Sequence, residues 1–232
     1  MIALLEIYDV LLSAYGEQYW WPAETFDEII IGTILTQNTS WTNVEKAIIN
    51  LKNNNLCSLT QISTAAPDTL AELIKPSGYF NQKAKRLIIV TNQFDIKAVK
   101  KHDLWTARKK LLDINGIGPE TADSILLYAF EKPIFVIDAY TKRVFTRLGV
   151  SLEKQTYDAF QEYFMSNLTH DVKLFNEYHA LIVRHCKVSC KVKPDCEECC
   201  LKNMCSSLKY YKEQNIETVV TKSKTSKSRS RK

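Results

Sequence analysis

The chain has 232 residues and a mass of 26.7 kDa, which suits one large domain or two small ones and excludes a multidomain assembly. At 45% hydrophobic and 25% charged residues it has a globular composition, and no apolar run approaches the roughly 20 residues of a membrane span. The net charge of +5 hints at nucleic acid, but Lys222, Lys224, Lys227, Arg229, Arg231 and Lys232 follow the last acid, Glu217, and without those six the chain holds 25 basic against 26 acidic residues.

The opening stretch MIALLEIYDVLLSAYG carries acids within its apolar run and no basic leader. It reads as an amphipathic helix over about 2–15 rather than a signal peptide, so a cytoplasmic, nucleoid-associated protein is expected. Apolar residues at three- and four-residue spacing predict helices at about 24–37, 41–54, 67–75, 81–97, 103–112, 119–130, 139–149, 154–168 and 172–187. Asp68 after Pro67, Asp103 and Asp138 stand where caps belong. Apart from the short apolar run Ile134–Ile137 after Pro133, no strand pattern persists. The expected fold is all-α, with two helical lobes, then a cysteine loop, then a basic tail over 218–232 expected to be disordered.

Between Leu111 and Leu148 one helix stops at Ile114-Asn115, the chain turns through Gly116-Ile117-Gly118, and a new helix begins with Pro119 at its first position. Two glycines around one apolar residue permit a tight hairpin with exposed amides backed by a helix N-terminus. Such a turn suits a DNA phosphate, although a GxG turn alone equally serves as a helix connector.

Cysteine usage is lopsided. Cys57 is alone in the first 185 residues, whereas Cys186, Cys190, Cys196, Cys199, Cys200 and Cys205 fall within the next twenty. In an intracellular chain this density reads as a metal site rather than as disulfides. Zinc sites usually show two CxxC knuckles, and here Cys196-x2-Cys199 is the one clear pair.

Taken together, INGIGPETA, Asp138 in VIDAYTKRVFTRLG and the cysteine cluster resemble the helix-hairpin-helix DNA glycosylases of the endonuclease III type. The resemblance runs from about Trp20 to Cys205 and includes ILTQNTSWTNVEKAI and PSGYFNQKAKRL. Within that superfamily WWPAETFDEIIIGTILTQNTSW most resembles the endonuclease III-related group that includes the 3-methyladenine glycosylases. The resemblance implies a glycosylase domain over 1–217: lobe one at about 23–133, lobe two at 1–22 plus 134–185, and an iron-sulfur loop at 186–205. It also implies a monomer acting on double-stranded DNA, with no membrane partner, and with the flipped base held where the lobes meet.

The same resemblance assigns roles to individual residues. Asp138 matches the catalytic aspartate, which stabilises the positive charge that builds on the sugar as the glycosidic bond breaks; an ordinary N-cap is the structural alternative, and the two are compatible. Glu120 stands where the lyase branch has a lysine nucleophile, and a carboxylate forms no imine. Trp20 and Trp21 match an aromatic pocket segment suited to a cationic alkylpurine, with one expected to line the pocket and the other to pack. Gln37 matches the residue that fills the gap left by the flipped nucleotide. Gly116, Gly118 and Thr121 belong to the DNA-binding hairpin, and Lys83 and Lys85 are candidate phosphate contacts. Cys196, Cys199 and Cys205 match the last three ligands of a 4Fe-4S cluster, with Cys190 as the first at a spacing one residue shorter than usual; Cys186 is the alternative. Three functions are expected in order: a monofunctional alkylpurine glycosylase, an endonuclease III-like glycosylase/lyase on oxidised pyrimidines, and a non-catalytic iron-sulfur DNA-binding module.

Overall fold

The computed structural model describes residues 3–209, and the regular structure among them is entirely helical, with no strand. The helices are α1 (Leu4–Tyr15), α2 (Phe26–Leu35), α3 (Trp41–Asn53), α4 (Leu59–Ser63), α5 (Pro67–Leu73), α6 (Phe80–Gln93), α7 (Ile96–Lys101), α8 (Leu104–Leu112), α9 (Pro119–Ser124), α10 (Ala139–Leu148), α11 (Tyr157–Asn167) and α12 (Val172–Val188). The basic tail at 218–232 lies outside the described residues. The chain divides into two compact units: Met1–Gln18, Ile137–Leu168 and Glu177–Lys232 form one, and Tyr19–Val136 with Thr169–Asn176 form the other.

In the first unit α1 buries Leu4, Ile7 and Leu11 at helical spacing. Tyr178 of α12 meets the Tyr8 ring of α1 edge-on at 5.2 Å, and its hydroxyl donates to the Leu4 carbonyl at 2.6 Å. The polar tip of this buried aromatic is thereby satisfied. Phe145 of α10 and Phe164 of α11 complete the same core at 4.7 Å between ring centres. Gly149 ends α10 with φ +107°, the left-handed conformation that a side chain resists.

In the second unit α2 is central: Ile30, Ile31, Ile34 and Leu35 are all fully buried. Thr25 caps it, accepting the Glu28 N–H at 3.1 Å. The helix predicted over 81–97 is in fact two. Asp95 caps α7 by accepting the Ala98 N–H at 2.9 Å, and Phe94 leaves helical geometry to make the break. The predicted helix 119–130 begins as α9 and continues as a π turn over Ile125–Ala129, closed by the Phe130 N–H on the Ile125 carbonyl at 3.2 Å. Helix α4 went unpredicted because five residues are too few to display a period; Ser58 starts it by accepting the Gln61 N–H at 3.2 Å.

Lys83 departs from its expected surface role. It is 2% exposed, and its ammonium donates to the Leu35 carbonyl at 2.8 Å and the Ser77 carbonyl at 2.6 Å. Leu35 ends α2, so the lysine satisfies a carbonyl that the helix end leaves without an intrahelical partner. Burial, aided by the charge of Arg86, brings the amine down to about 8. Between that value and the ordinary 10.5 the unfolded chain binds more protons, so the contribution of this group to stability rises with pH across that window. Lys83→Met is expected to cost about 2–3 kcal/mol by leaving two buried carbonyls unpaired, read as a lowered midpoint in urea with an unchanged slope. Lys85, by contrast, is exposed.

Candidate functional site

The hairpin lies between α8 and α9. Ile114 and Ile117 are buried beneath it, and the Ile117 N–H closes the turn on the Ile114 carbonyl at 3.1 Å. Gly116 has φ +96°, and Gly118 is the extended residue before Pro119, with open space where a Cβ would stand. The two helices are clamped by Arg108 and the fully buried Asp123, paired through Nε at 2.7 Å and a second guanidinium nitrogen at 3.2 Å. Glu120 is exposed in the first turn of α9, where a carboxylate is favoured by the helix dipole.

Three of the expected DNA-binding residues form one network. The Gln37 amide nitrogen donates to Thr121 Oγ1 at 2.9 Å and to the Gly116 carbonyl at 3.3 Å. Its amide oxygen accepts from Arg86, a residue that sequence reasoning did not single out. Gly118 lies two residues along the same turn from Gly116.

Trp20 and Trp21 belong to a larger aromatic cluster with Trp41. The Trp20 and Trp21 rings are 5.4 Å apart, Trp20 and Trp41 5.5 Å, and Trp21 and Trp41 5.0 Å. Trp21 lies on Tyr128 at 4.9 Å and against Gly32, where a Cβ would come within 3.4 Å of the indole. The π turn carries Tyr128 into this position. Trp41, together with Pro22, lines an open pocket of about 430 Å³, a volume typical of small-molecule sites. The indole N–H groups of Trp21 and Trp41 are enclosed and meet no hydrogen-bond acceptor among the described residues. The signal for Trp41 was present in the sequence, at the first position of α3 three residues after Asn38, but nothing local ties it to Trp20.

Asp138 caps α10. Its Oδ1 accepts the Thr141 N–H at 2.7 Å and the Thr141 hydroxyl at 2.8 Å, and its Oδ2 faces His179 Nε2 of α12 at 3.6 Å. That last separation is longer than an ordinary hydrogen bond. The carboxylate side chain is 14% exposed. Burial pushes its pKa up, but the facing His179 and the two Thr141 donors more than offset this and hold it below the ordinary 3.8. His179 was not predicted, because it lies 41 positions downstream of its partner.

Cys190, Cys196, Cys199 and Cys205 line one pocket over Val144 and Leu148 of α10. The Cys186 thiol lies 3.7 Å from the Tyr140 carbonyl, and Cys200 stands 3.7 Å from the Tyr15 hydroxyl. Arg147 donates to Cys190 Sγ at 3.2 Å and to the Lys191 and Val192 carbonyls at 2.6 and 3.0 Å, while Arg143 reaches the Cys190 carbonyl at 2.9 Å. The Cys190 thiol is held well below its usual range, first by Cys186 and then, against burial, by His185 and Arg147. No disulfide forms among the described residues, and no three metal-ligating side chains among them close on a single ion.

A glycine hairpin between two clamped helices and a capped, ionised aspartate heading a later helix, in a chain whose described regular structure is all helical, are the parts of a DNA-processing protein. The chain belongs to the HhH-GPD superfamily of base excision DNA repair proteins, which matches residues 31–170. It is a DNA glycosylase of that superfamily. A Methanocaldococcus jannaschii protein assigned as a DNA repair glycosylase is 51% identical over 211 residues, covering 88% of this chain and 96% of its own. Endonuclease III of Sulfolobus acidocaldarius is 33% identical, with 78% of this chain and 81% of its own covered. Among solved structures, Helicobacter pylori 3-methyladenine DNA glycosylase bound to 1,N6-ethenoadenine superposes with a TM-score of 0.66 at 31% identity, over 80% of this chain and 98% of its own. An endonuclease III–DNA complex superposes at 0.78 with 18% identity, over 92% and 100%, and shares the fold. No helix among the described residues is long and apolar enough to cross a membrane.

Proposed function

We propose that the protein is a monofunctional glycosylase that releases an alkylated purine such as 3-methyladenine from double-stranded DNA. The observation that carries this reading is Glu120, an exposed carboxylate on the hairpin helix at the position where lyase relatives use an amine. Water attacks C1′, the bond from C1′ to the base nitrogen breaks, and its electron pair neutralises the alkylated ring. The water proton leaves through Asp138 or solvent, and the ionised Asp138 stabilises the charge on the sugar. A cationic base is already a good leaving group, so one carboxylate suffices.

The aromatic cluster supports the substrate class. Trp20 and Trp41 are partly exposed, and stacking of an alkylpurine cation on such faces is worth about 0.5–2 kcal/mol. The Helicobacter pylori relative carries the same substrate class in its name.

We further propose that Cys190, Cys196, Cys199 and Cys205 hold a 4Fe-4S cluster. Four thiols lining one pocket, one of them held low and within reach of Arg147, form a donor set that suits such a group. When bound, the cluster cross-links the loop; Arg143 and Arg147 hold the loop backbone against α10.

Two assays test the reading. On duplexes carrying alkylated or oxidised bases, base release is expected from the alkylated one alone, with strand breaks only after alkali. Borohydride with abasic DNA is expected to leave less than about 1% of the protein as covalent adduct, in keeping with the lack of an amine at position 120. An abundant adduct would overturn the monofunctional assignment and direct attention to Lys142.

A further inference from the structure

We infer that Arg86 is a positioning residue that sets the orientation of the Gln37 amide against the hairpin. The proposal rests on the reading above for the role of Gln37 at the flipped nucleotide, and its own basis is the chemistry of three neighbours. Arg86 is only a donor and meets the Gln37 amide oxygen. The Gly116 carbonyl is only an acceptor and meets the amide nitrogen at 3.3 Å. Thr121 Oγ1, 2.9 Å from that nitrogen, can play either part. A donor-only group at one end and an acceptor-only group at the other leave the amide one orientation; without the guanidinium only the longer carbonyl contact distinguishes the two.

Gly116 makes this arrangement possible in a second way besides its φ of +96°. A Cβ there would lie 2.6 Å from Arg86 Cγ, 2.7 Å from Nε and 2.8 Å from Cδ, so the arginine stem lies in the space that the missing side chain leaves. Helix α6 also presents Lys83 one turn before Arg86, and Lys83 holds the Leu35 carbonyl at the end of α2. One face of α6 thus secures both the backbone from which Gln37 projects and the amide at its tip. A side chain ordered before DNA arrives no longer loses its rotamer freedom on binding, which for a glutamine corresponds to roughly tenfold in affinity.

The test uses the full chain and the Arg86→Met variant, which keeps the apolar stem across Gly116 and removes the guanidinium. Fluorescence anisotropy would give the Kd for a duplex carrying a tetrahydrofuran abasic analogue and for the same duplex undamaged. Arg86→Met is expected to weaken abasic-duplex binding about tenfold and to leave undamaged-duplex binding and its salt dependence unchanged. Combined with Gln37→Ala, it is expected to cost no more than Gln37→Ala alone. Additive losses, or equal weakening on both duplexes with a shallower salt slope, would overturn the proposal in favour of a phosphate contact. NMR of the free protein supplies an arm independent of DNA: the Gln37 side-chain amide protons exchange slowly in the wild type and fast in Arg86→Met. Unchanged exchange overturns the link between the two residues. A wild type that fails to prefer the abasic duplex overturns the reading of Gln37 and leaves that link to the NMR result.

Discussion

Asp138→Asn is expected to lower single-turnover base release about 10³-fold while leaving the protein folded. Asparagine keeps an oxygen for the Thr141 N–H and hydroxyl, so the cap on α10 survives and the charge alone is lost. Retention of the rate would place the chemistry elsewhere in the chain. The wild-type carboxyl titrates below its ordinary 3.8, so it stays ionised throughout the neutral range and no acid limb from this group is expected near pH 7. The linkage to stability has a definite sign. Because the folded pKa is depressed, the stabilisation is present above the unfolded value of 3.8 and is lost as pH falls through the folded one. Denaturation of wild type and Asp138→Asn from pH 7 to pH 3 is expected to show their stability difference shrinking towards the acid end.

Removing a proposed cluster ligand has the second large effect, and it differs sharply between neighbouring cysteines. Cys199→Ser is expected to abolish visible absorbance and bound iron and to lower the thermal midpoint by about 10 °C or more. Cys200→Ser, one residue away, and Cys186→Ser are expected to keep both. The magnitude follows from the composition of the loop: among residues 191–209 Leu201 is the only buried apolar residue, at 1% exposure. Its ties to α10 include polar ones from Arg143, from Arg147, from the Ser206 hydroxyl to the Leu148 carbonyl at 2.8 Å and from the Ser207 N–H to the Arg147 carbonyl at 3.1 Å. A loop with so little core depends on a cross-link, as small metal-bound modules do. Full iron content in Cys199→Ser, or its loss in Cys186→Ser, would require a different ligand set.

The helical class, the hairpin and the cap on α10 were legible in the sequence because each is a local property. Apolar spacing marks a helix over a dozen residues, Gly116 and Gly118 mark a turn within five, and Asp138 accepts from Thr141 three positions on. Short segments were not legible: α4 has five residues and α7 six, fewer than two turns each. The break between α6 and α7 turns on Phe94 and Asp95, a cap that apolar spacing alone runs straight through.

The character of polar residues separates the two sources of information most clearly. Lys83 and Lys85 look alike in sequence, yet one is buried on two carbonyls and the other is exposed, because only the packing of α6 on α2 decides which face is covered. The cysteine spacing proposed four ligands, and only the fold places Cys190 rather than Cys186 among the residues lining the pocket shared with Cys196, Cys199 and Cys205. Sequence by itself determined the helical architecture, the glycine turn between α8 and α9 and the absence of an amine at position 120, since these depend on neighbours a few residues apart. Tertiary structure alone decided that His179 faces Asp138, that Trp41 and Tyr128 join Trp21, and that Arg86 meets Gln37. Each of those pairings spans between 20 and 107 positions, and over such distances no local preference of the backbone specifies which side chains meet.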